Sequence, residues 1–278
     1  IAGVLVIYFS PWRFQVYDDV ALAWLISGTY TGVPESYALF IHPLYSSFLA
    51  NLYKTAQEIP WYAIQTYLIL IFSLILGIKS VFETSLKGPQ RVLILSIFLT
   101  VSLHLALLPQ FTLISGWGAT MSLIYLQVGT KWKSWLLFFL AAMIRVESAG
   151  LVLLGFGLFS GVFNLKKTQI IRYGTLGSLI LILLVSQKVW EDQSEYKDFL
   201  RFNRARASVL DHPVFYEDTR AEKFERSSTW FYPSNWLIEK SHINIDILKA
   251  KKAELDQRQW SIYEFKRSIQ RLFKILIE

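Results

Sequence analysis

The chain has 278 residues, 53% of them hydrophobic and 18% charged, and a mean hydropathy of +0.37; an ordinary soluble domain carries about 25% charged residues, so this is the composition of an integral membrane protein. The absence of cysteine excludes disulfides, thiolate metal ligands and cysteine nucleophiles. The net charge of +7 is spread over loop ends and one polar segment without a recognition motif, so the expected partners are anionic membrane lipids and not nucleic acid.

A hydrocarbon core of roughly 30 Å takes about 20 apolar residues of helix. By that measure the candidate spans are residues 1–11, 37–54, 61–82, 91–108, 111–129, 134–163 and 173–190. The chain opens on Ile1 inside apolar sequence and closes on Leu276-Ile277-Glu278 as apolar character returns, which reads as truncation at both ends. Residues 1–190 are expected to form a transmembrane domain and residues 191–278 a polar, mostly helical domain beside the membrane. The fold class is therefore all-α, a polytopic helix bundle.

After the first apolar stretch come Ser10-Pro11-Trp12-Arg13 and Tyr17, residue types that gather where a membrane segment meets water. Asp18 and Asp19 follow, and then an amphipathic stretch, residues 20–30, predicted to lie along the surface as a helix. Two carboxylates at a membrane face between spans can supply a general base, because repulsion between neighbours and partial burial raise one of their pKa values. The same pair can hold a divalent cation, though nothing in the composition requires a metal or another cofactor. The competing structural role is a helix N-terminus, where first-turn acids cap and complement the dipole.

Ser27-Gly28-Thr29-Tyr30-Thr31-Gly32-Val33-Pro34 is a turn-forming run without phosphate-loop spacing. His42-Pro43-Leu44-Tyr45 then opens the second candidate span, and His42 is either an interfacial residue or a substrate contact. The stretch 134–163 is overlong and carries Arg145 and Glu147 near its middle. It is one tilted span or two half-helices meeting at the charged step. Ionisable groups at membrane depth cost at least ~2.5–3.5 kcal/mol each, so they face protein, a partner or a polar cavity. A spacing of two sets the side chains on different helix faces, so mutual pairing requires the helix to break. An arginine facing a cavity suits a phosphate.

Lys and Arg counts on alternate loops do not choose an orientation. If 134–163 crosses once, the aspartate loop and the polar domain share one side, opposite Lys166 and Lys167. Within the polar domain, Asp211-His212 offers an acid–base pair, Trp230-Phe231-Tyr232 to Trp236 forms an aromatic cluster, and Ile245 to Phe273 has loose helical spacing. No Gly-x-Ser-x-Gly elbow and no paired-histidine metal motif occurs.

The order of parts over residues 1–163 resembles the integral-membrane glycosyltransferases of the C fold (GT-C-like). These include protein O-mannosyltransferases, lipid A aminoarabinose transferases and oligosaccharyltransferases. Asp18-Asp19, the stretch 20–30, His42-Pro43-Leu44 and Ala141-Ala142-Met143-Ile144-Arg145 carry the resemblance. The departures are Asp-Asp in place of Asp-Glu, and Val146-Glu147 where many members have Gly or Pro. The likeness to bacterial membrane proteins of this layout covers most of the chain.

The resemblance implies a transferase in the bacterial plasma (inner) membrane that takes a sugar from a polyprenyl phosphate and delivers it to an extracytoplasmic acceptor. Asp18 or Asp19 would act as base, and Arg145, with Arg13, His42 and Glu147 as further binding residues, would hold the substrate. The alternative reading is a non-enzymatic transporter or polysaccharide-export component in which Arg145 and Glu147 gate a polar path.

Overall fold

A computed structural model describes residues 13–128, 131–159, 167–194, 196–210, 212, 245–259, 266 and 269–270. Every regular element among them is an α-helix. Two compact units divide the chain, Ile1–Trp190 and Glu191–Glu278. The first contains α1 (Tyr17–Ser27), α2 (Pro43–Thr55), α3 (Trp61–Glu83), α4 (Gly88–Leu107), α5 (Phe111–Val128), α6 (Lys131–Ile144), α7 (Val146–Phe159) and most of α8 (Lys167–Gln193). Of these, α3, α4, α5 and α8 are long and apolar enough to cross a membrane. The 23 residues of α3 alone make about 35 Å of helix.

Two of the expected segments differ from the helices observed, the stretch 134–163 takes one of its two expected forms, and residues 1–11 lie outside those described. Residues 37–54 are not a span. The helix starts only at Pro43 and has 13 residues, about 20 Å. Proline fixes the first helical position and pushes the residue before it out of the helical region, and His42 accordingly has φ −57° and ψ 132°. Of the overlong stretch 134–163, the described part belongs to two 14-residue helices, α6 and α7, separated by Arg145 alone, the second of the two arrangements expected there. The helix expected over 20–30 begins at Tyr17, which places both aspartates inside its first turn.

One face of α1 is buried through Ala21, Leu22, Leu25 and Ile26, so the helix is packed into the bundle and not merely laid on its surface. It stops at Gly28, whose φ is +78° and whose N–H bonds to the Leu25 carbonyl. A Cβ at that position would stand 2.5 Å from the backbone of Val33, so only glycine fits the turn.

The centre of the first unit is α5, with α3 on one side and α6 and α7 on the other. Lipid tails are as apolar as leucine, so helices associate in a bilayer by close packing, which small residues permit. Here Ser115, Gly116, Gly118, Ala119 and Ser122 supply the small surface. A Cβ on Gly116 would meet Ser148 Oγ at 3.2 Å, and one on Gly118 would meet Ala141 Cβ at 3.2 Å and Ser73 Oγ at 3.4 Å. At the far end of α5, Arg172 of α8 donates from Nη1 to the Leu126 carbonyl (3.0 Å), and Gln127 donates to the Tyr173 hydroxyl (2.7 Å). Large apolar side chains such as Leu68, Ile71, Val92, Leu151 and Leu154 point outward, as a lipid-facing surface requires.

In the second unit α9 (Lys197–Leu210) packs on α10 (Ile245–Gln259), with Phe199, Phe202, Val209, Leu248 and Leu255 buried. His212 lies 3.2 Å from Asp256 Oδ1 of α10, and Lys252 binds the same carboxylate. Of the segment 245–273 with helical spacing, Ile245–Gln259 form α10 and Lys266, Ile269 and Gln270 are also helical, while the rest of it, Asp211 and the Trp230–Trp236 cluster lie outside the described residues.

The tight approach at Gly118 gives a clear expectation. Gly118→Leu forces a branched side chain against Ala141 Cβ, which cannot swing away, and should cost about 1–3 kcal/mol. Gly155→Leu, in open space on α7, should be neutral or slightly stabilising. Thermal unfolding in detergent of the two variants checks this.

Candidate functional site

Neither aspartate caps its own helix. Val16 occupies the N-cap of α1 in an extended conformation, without a side-chain capping bond. The carboxylate of Asp19 reaches instead to the first residue of α5, accepting the Phe111 N–H at 3.1 Å on Oδ1 and 3.4 Å on Oδ2. It also accepts from the Tyr62 hydroxyl of α3 at 2.9 Å. Tyr62 is held in turn, its backbone N–H donating to the Tyr53 hydroxyl of α2 at 3.0 Å. Asp19 is 1% exposed. It therefore caps a helix 92 residues away in sequence, a role outside both the base and the self-capping expectations.

Burial pushes the Asp19 carboxyl up to about 6, against the hydrogen bonds from Tyr62 and Phe111 that lower it, and the charge of Asp18 adds a smaller upward push. Asp18 is half-buried, and its carboxylate makes no hydrogen bond to the described residues. The pair is thus divided. One member is sequestered as a helix cap, and the other keeps its oxygens available.

The charged step at Arg145 is an interruption of one residue. Arg145 N–H still reaches the Ala141 carbonyl and Ala149 N–H reaches the Arg145 carbonyl, both at 3.2 Å. Backbone carbonyls freed in a bilayer must find partners inside the protein. Ser115 Oγ of α5 lies 2.8 Å from the Ala141 carbonyl and 3.1 Å from that of Arg145, and the His42 N–H donates to the Met143 carbonyl at 3.0 Å.

The Arg145 guanidinium lies over two aromatic rings, 4.8 Å from the centroid of Phe40 and 5.2 Å from that of Phe111. Those rings stack on one another at 5.9 Å with 21° between their planes. Because the helix breaks here, Arg145 does approach Glu147, but the Nε–Oε2 separation of 3.9 Å is loose and the Glu147 side chain is 53% exposed.

His42 is buried and has both ring nitrogens engaged. Its Nδ1 accepts from the Leu44 N–H at 3.4 Å as the N-cap of α2, and Nε2 lies 3.1 Å from Ser186 Oγ of α8. An Nδ1 that accepts leaves the proton on Nε2, so the imidazole donates to the serine. Burial lowers the His42 pKa and favours this neutral form. A substrate contact through His42 is therefore not what the geometry offers. The residue locks α2 to α8 and to the break.

Arg13 is exposed beside the α4–α5 turn, where its N–H bonds to the Leu107 carbonyl at 3.2 Å. Among the described residues no three His, Asp or Glu side chains cluster as metal ligands. Sequence reasoning did not reach Tyr62, Phe111, Phe40 or Ser115. Phe111 and Tyr62 each stand near the start of a helix shortly after a proline, Pro109 and Pro60, so a search for unfilled N-termini would have found them. No comparable signal marks Phe40.

No protein-family model matches the chain, and neither the curated proteins nor the solved structures include a match.

The Asp19 carboxyl sets a pH dependence whose sign follows from its displacement from 3.8 to about 6. The folded form holds this proton more tightly, so the contribution to stability is complete below about pH 4. It is lost as pH rises through 6, by about 3 kcal/mol at 1.36 kcal/mol per pKa unit. Asparagine can still accept the Phe111 N–H. The stability of Asp19→Asn in detergent should therefore gain on wild type between pH 4 and pH 7, and parallel melting curves across that range would rule the carboxyl out as the titrating group.

Proposed function

We propose that the protein is a C-fold-type membrane glycosyltransferase that moves a sugar from a polyprenyl-phosphate donor to an extracytoplasmic acceptor in the bacterial plasma membrane. The observation that carries this reading is the convergence on Phe111. Its N–H is bound by Asp19 and its ring lies under Arg145, so the acidic pair and the arginine gather at the N-terminus of one helix.

In this scheme the acceptor hydroxyl attacks the anomeric carbon while Asp18 takes its proton. The bond from that carbon to the phosphate oxygen breaks, and the polyprenyl phosphate leaves with the electron pair, its charge held by Arg145. Attack opposite the leaving group inverts the anomeric centre. Asp18 takes the part of base because its carboxylate is uncommitted, while Asp19 positions α1 against α3 and α5. Arg13, exposed at the α4–α5 turn, is a second cation for the phosphate. A base contributes roughly 10²–10⁴-fold, and the remainder comes from positioning both substrates and stabilising the departing phosphate. A divalent cation could assist the departure, and the scheme does not depend on one.

Transport is less well supported. A broken-helix transport site directs freed carbonyls toward the permeating ion, whereas the carbonyls of Ala141, Met143 and Arg145 are taken up by Ser115, His42 and helix amides.

Asp18→Asn should lower sugar transfer from a polyprenyl-phosphate sugar in membranes at least ~10²-fold at unchanged protein level. Wild-type transfer by this variant would remove the base. The second arm concerns the cation. Arg145→Lys should keep part of the activity and Arg145→Leu should abolish it while still accumulating, because the loose contact to a half-exposed Glu147 leaves no strictly buried partner stranded. Protein level measured beside transfer separates loss of function from loss of fold.

A further inference from the structure

Phe40 has φ +72° and, among the described residues, is the only residue other than glycine with a positive φ. A bulky side chain in the left-handed region is an outlier, since its Cβ crowds the following carbonyl oxygen, and such strain survives only where the surroundings enforce it. The surroundings here do so. Ala38, Ile41 and His42 are buried on either side, and the His42 N–H is tied to the Met143 carbonyl at the helix break. Glycine or asparagine would adopt this backbone with less strain, yet the position carries an aromatic ring, and that ring stacks on Phe111 with the Arg145 guanidinium above both.

A guanidinium has two faces and a planar rim, and all five of its donors lie in the rim. Rings take up the face without using any of those donors. Arg145 makes no side-chain hydrogen bond to the described residues, and Glu147 at 3.9 Å is beyond hydrogen-bonding distance. The side chain is 25% exposed. It is therefore fixed in orientation by aromatic contact and left with open donors, the state suited to accepting two oxygens of a phosphate side by side.

We infer that Phe40 is a positioning residue, held in a left-handed backbone so that its ring orients the Arg145 guanidinium for the phosphate group of the ligand. This rests on the donor reading above. It adds that the arginine is preorganised by an aromatic partner and not by a carboxylate.

The test uses the full chain in detergent, with undecaprenyl monophosphate as the probe and inorganic phosphate as the headgroup alone. Phenylalanine at position 40 is replaced by its mono-, di- and trifluorinated analogues, which keep the shape and weaken the ring's attraction for a cation. Phe40→Gly is made in parallel to release the backbone strain. Affinity for undecaprenyl monophosphate should fall stepwise with fluorination, to about 3–10-fold in all, at constant melting temperature. Phe40→Gly should lose affinity while melting no lower than wild type. Arg145→Leu should abolish binding.

The same stepwise fall with inorganic phosphate would also support the inference and identify phosphate alone as the recognised group. Affinity that stays flat or rises across the fluorinated series, with Arg145→Leu still abolishing it, overturns the role of Phe40 and leaves the donor reading standing. Failure of the wild-type protein to bind either probe overturns both.

Discussion

A single buried carboxylate joins the parts of this bundle that the chain keeps far apart. Asp19 brings the first turn of α1 to the hydroxyl of Tyr62 at the head of α3 and to the open amide of Phe111 at the head of α5. An N-terminal amide at a membrane face has no helical partner and a favourable field for an anion. The carboxylate satisfies the first need and complements the second. Placing a charge in so enclosed a position has an energetic penalty, expressed in its raised pKa. The fold accepts that penalty because an uncapped, buried helix end would carry one of its own. The order of α1, α3 and α5 around this point then decides where Asp18 sits.

The interruption at Arg145 follows from the same rule that backbone groups inside a bilayer must be satisfied from within. An unbroken helix over the whole apolar stretch would carry Arg145 and Glu147 on diverging faces, two separate charges at membrane depth. Breaking the helix for one residue lets the arginine turn toward Phe40 and Phe111, and leaves Glu147 on the outside. The His42 amide then takes the Met143 carbonyl, and the Ser115 hydroxyl lies against the carbonyls of Ala141 and Arg145 on either side of the break. Small residues on α5 are needed for both purposes, since they let α6 and α7 come near enough for a serine hydroxyl to bridge.

Composition and apolar run length were enough to anticipate a helical protein with elements long and apolar enough to cross a membrane, because the thickness of the bilayer sets that length. The cores of α3, α4, α5 and α8 are legible on that basis. Residues 37–54 are not, since a run of apolar residues looks the same whether it crosses a membrane or packs as a loop and a short helix inside protein; only Pro43 marks the difference, and only locally. Asp18, Asp19 and Arg145 stood out because charge in an apolar chain is conspicuous. The partners of those groups did not stand out. Phe111 acts through its amide as well as its ring, and a backbone N–H leaves no trace in residue identity. Phe40 is set apart by a dihedral angle, which an aromatic residue in a loop gives no reason to suspect. For His42, the identity of the residue suggested chemistry, while its two engaged nitrogens assign it to structure.

The two ends of α5 are held by opposite charges. At the amide end stands the carboxylate of Asp19, and at the carbonyl end the guanidinium of Arg172 donates to Leu126. Each is opposite in sign to the helix pole it touches, and together they act like stops on a rod. Sliding α5 along its axis, in either direction, would pull one pole from its counter-charge and press the other against its neighbour. Among the described residues, α5 carries a counter-charge at each of its ends. By contrast, α4 and α8 turn broad apolar faces outward, with little of either covered by protein among the described residues.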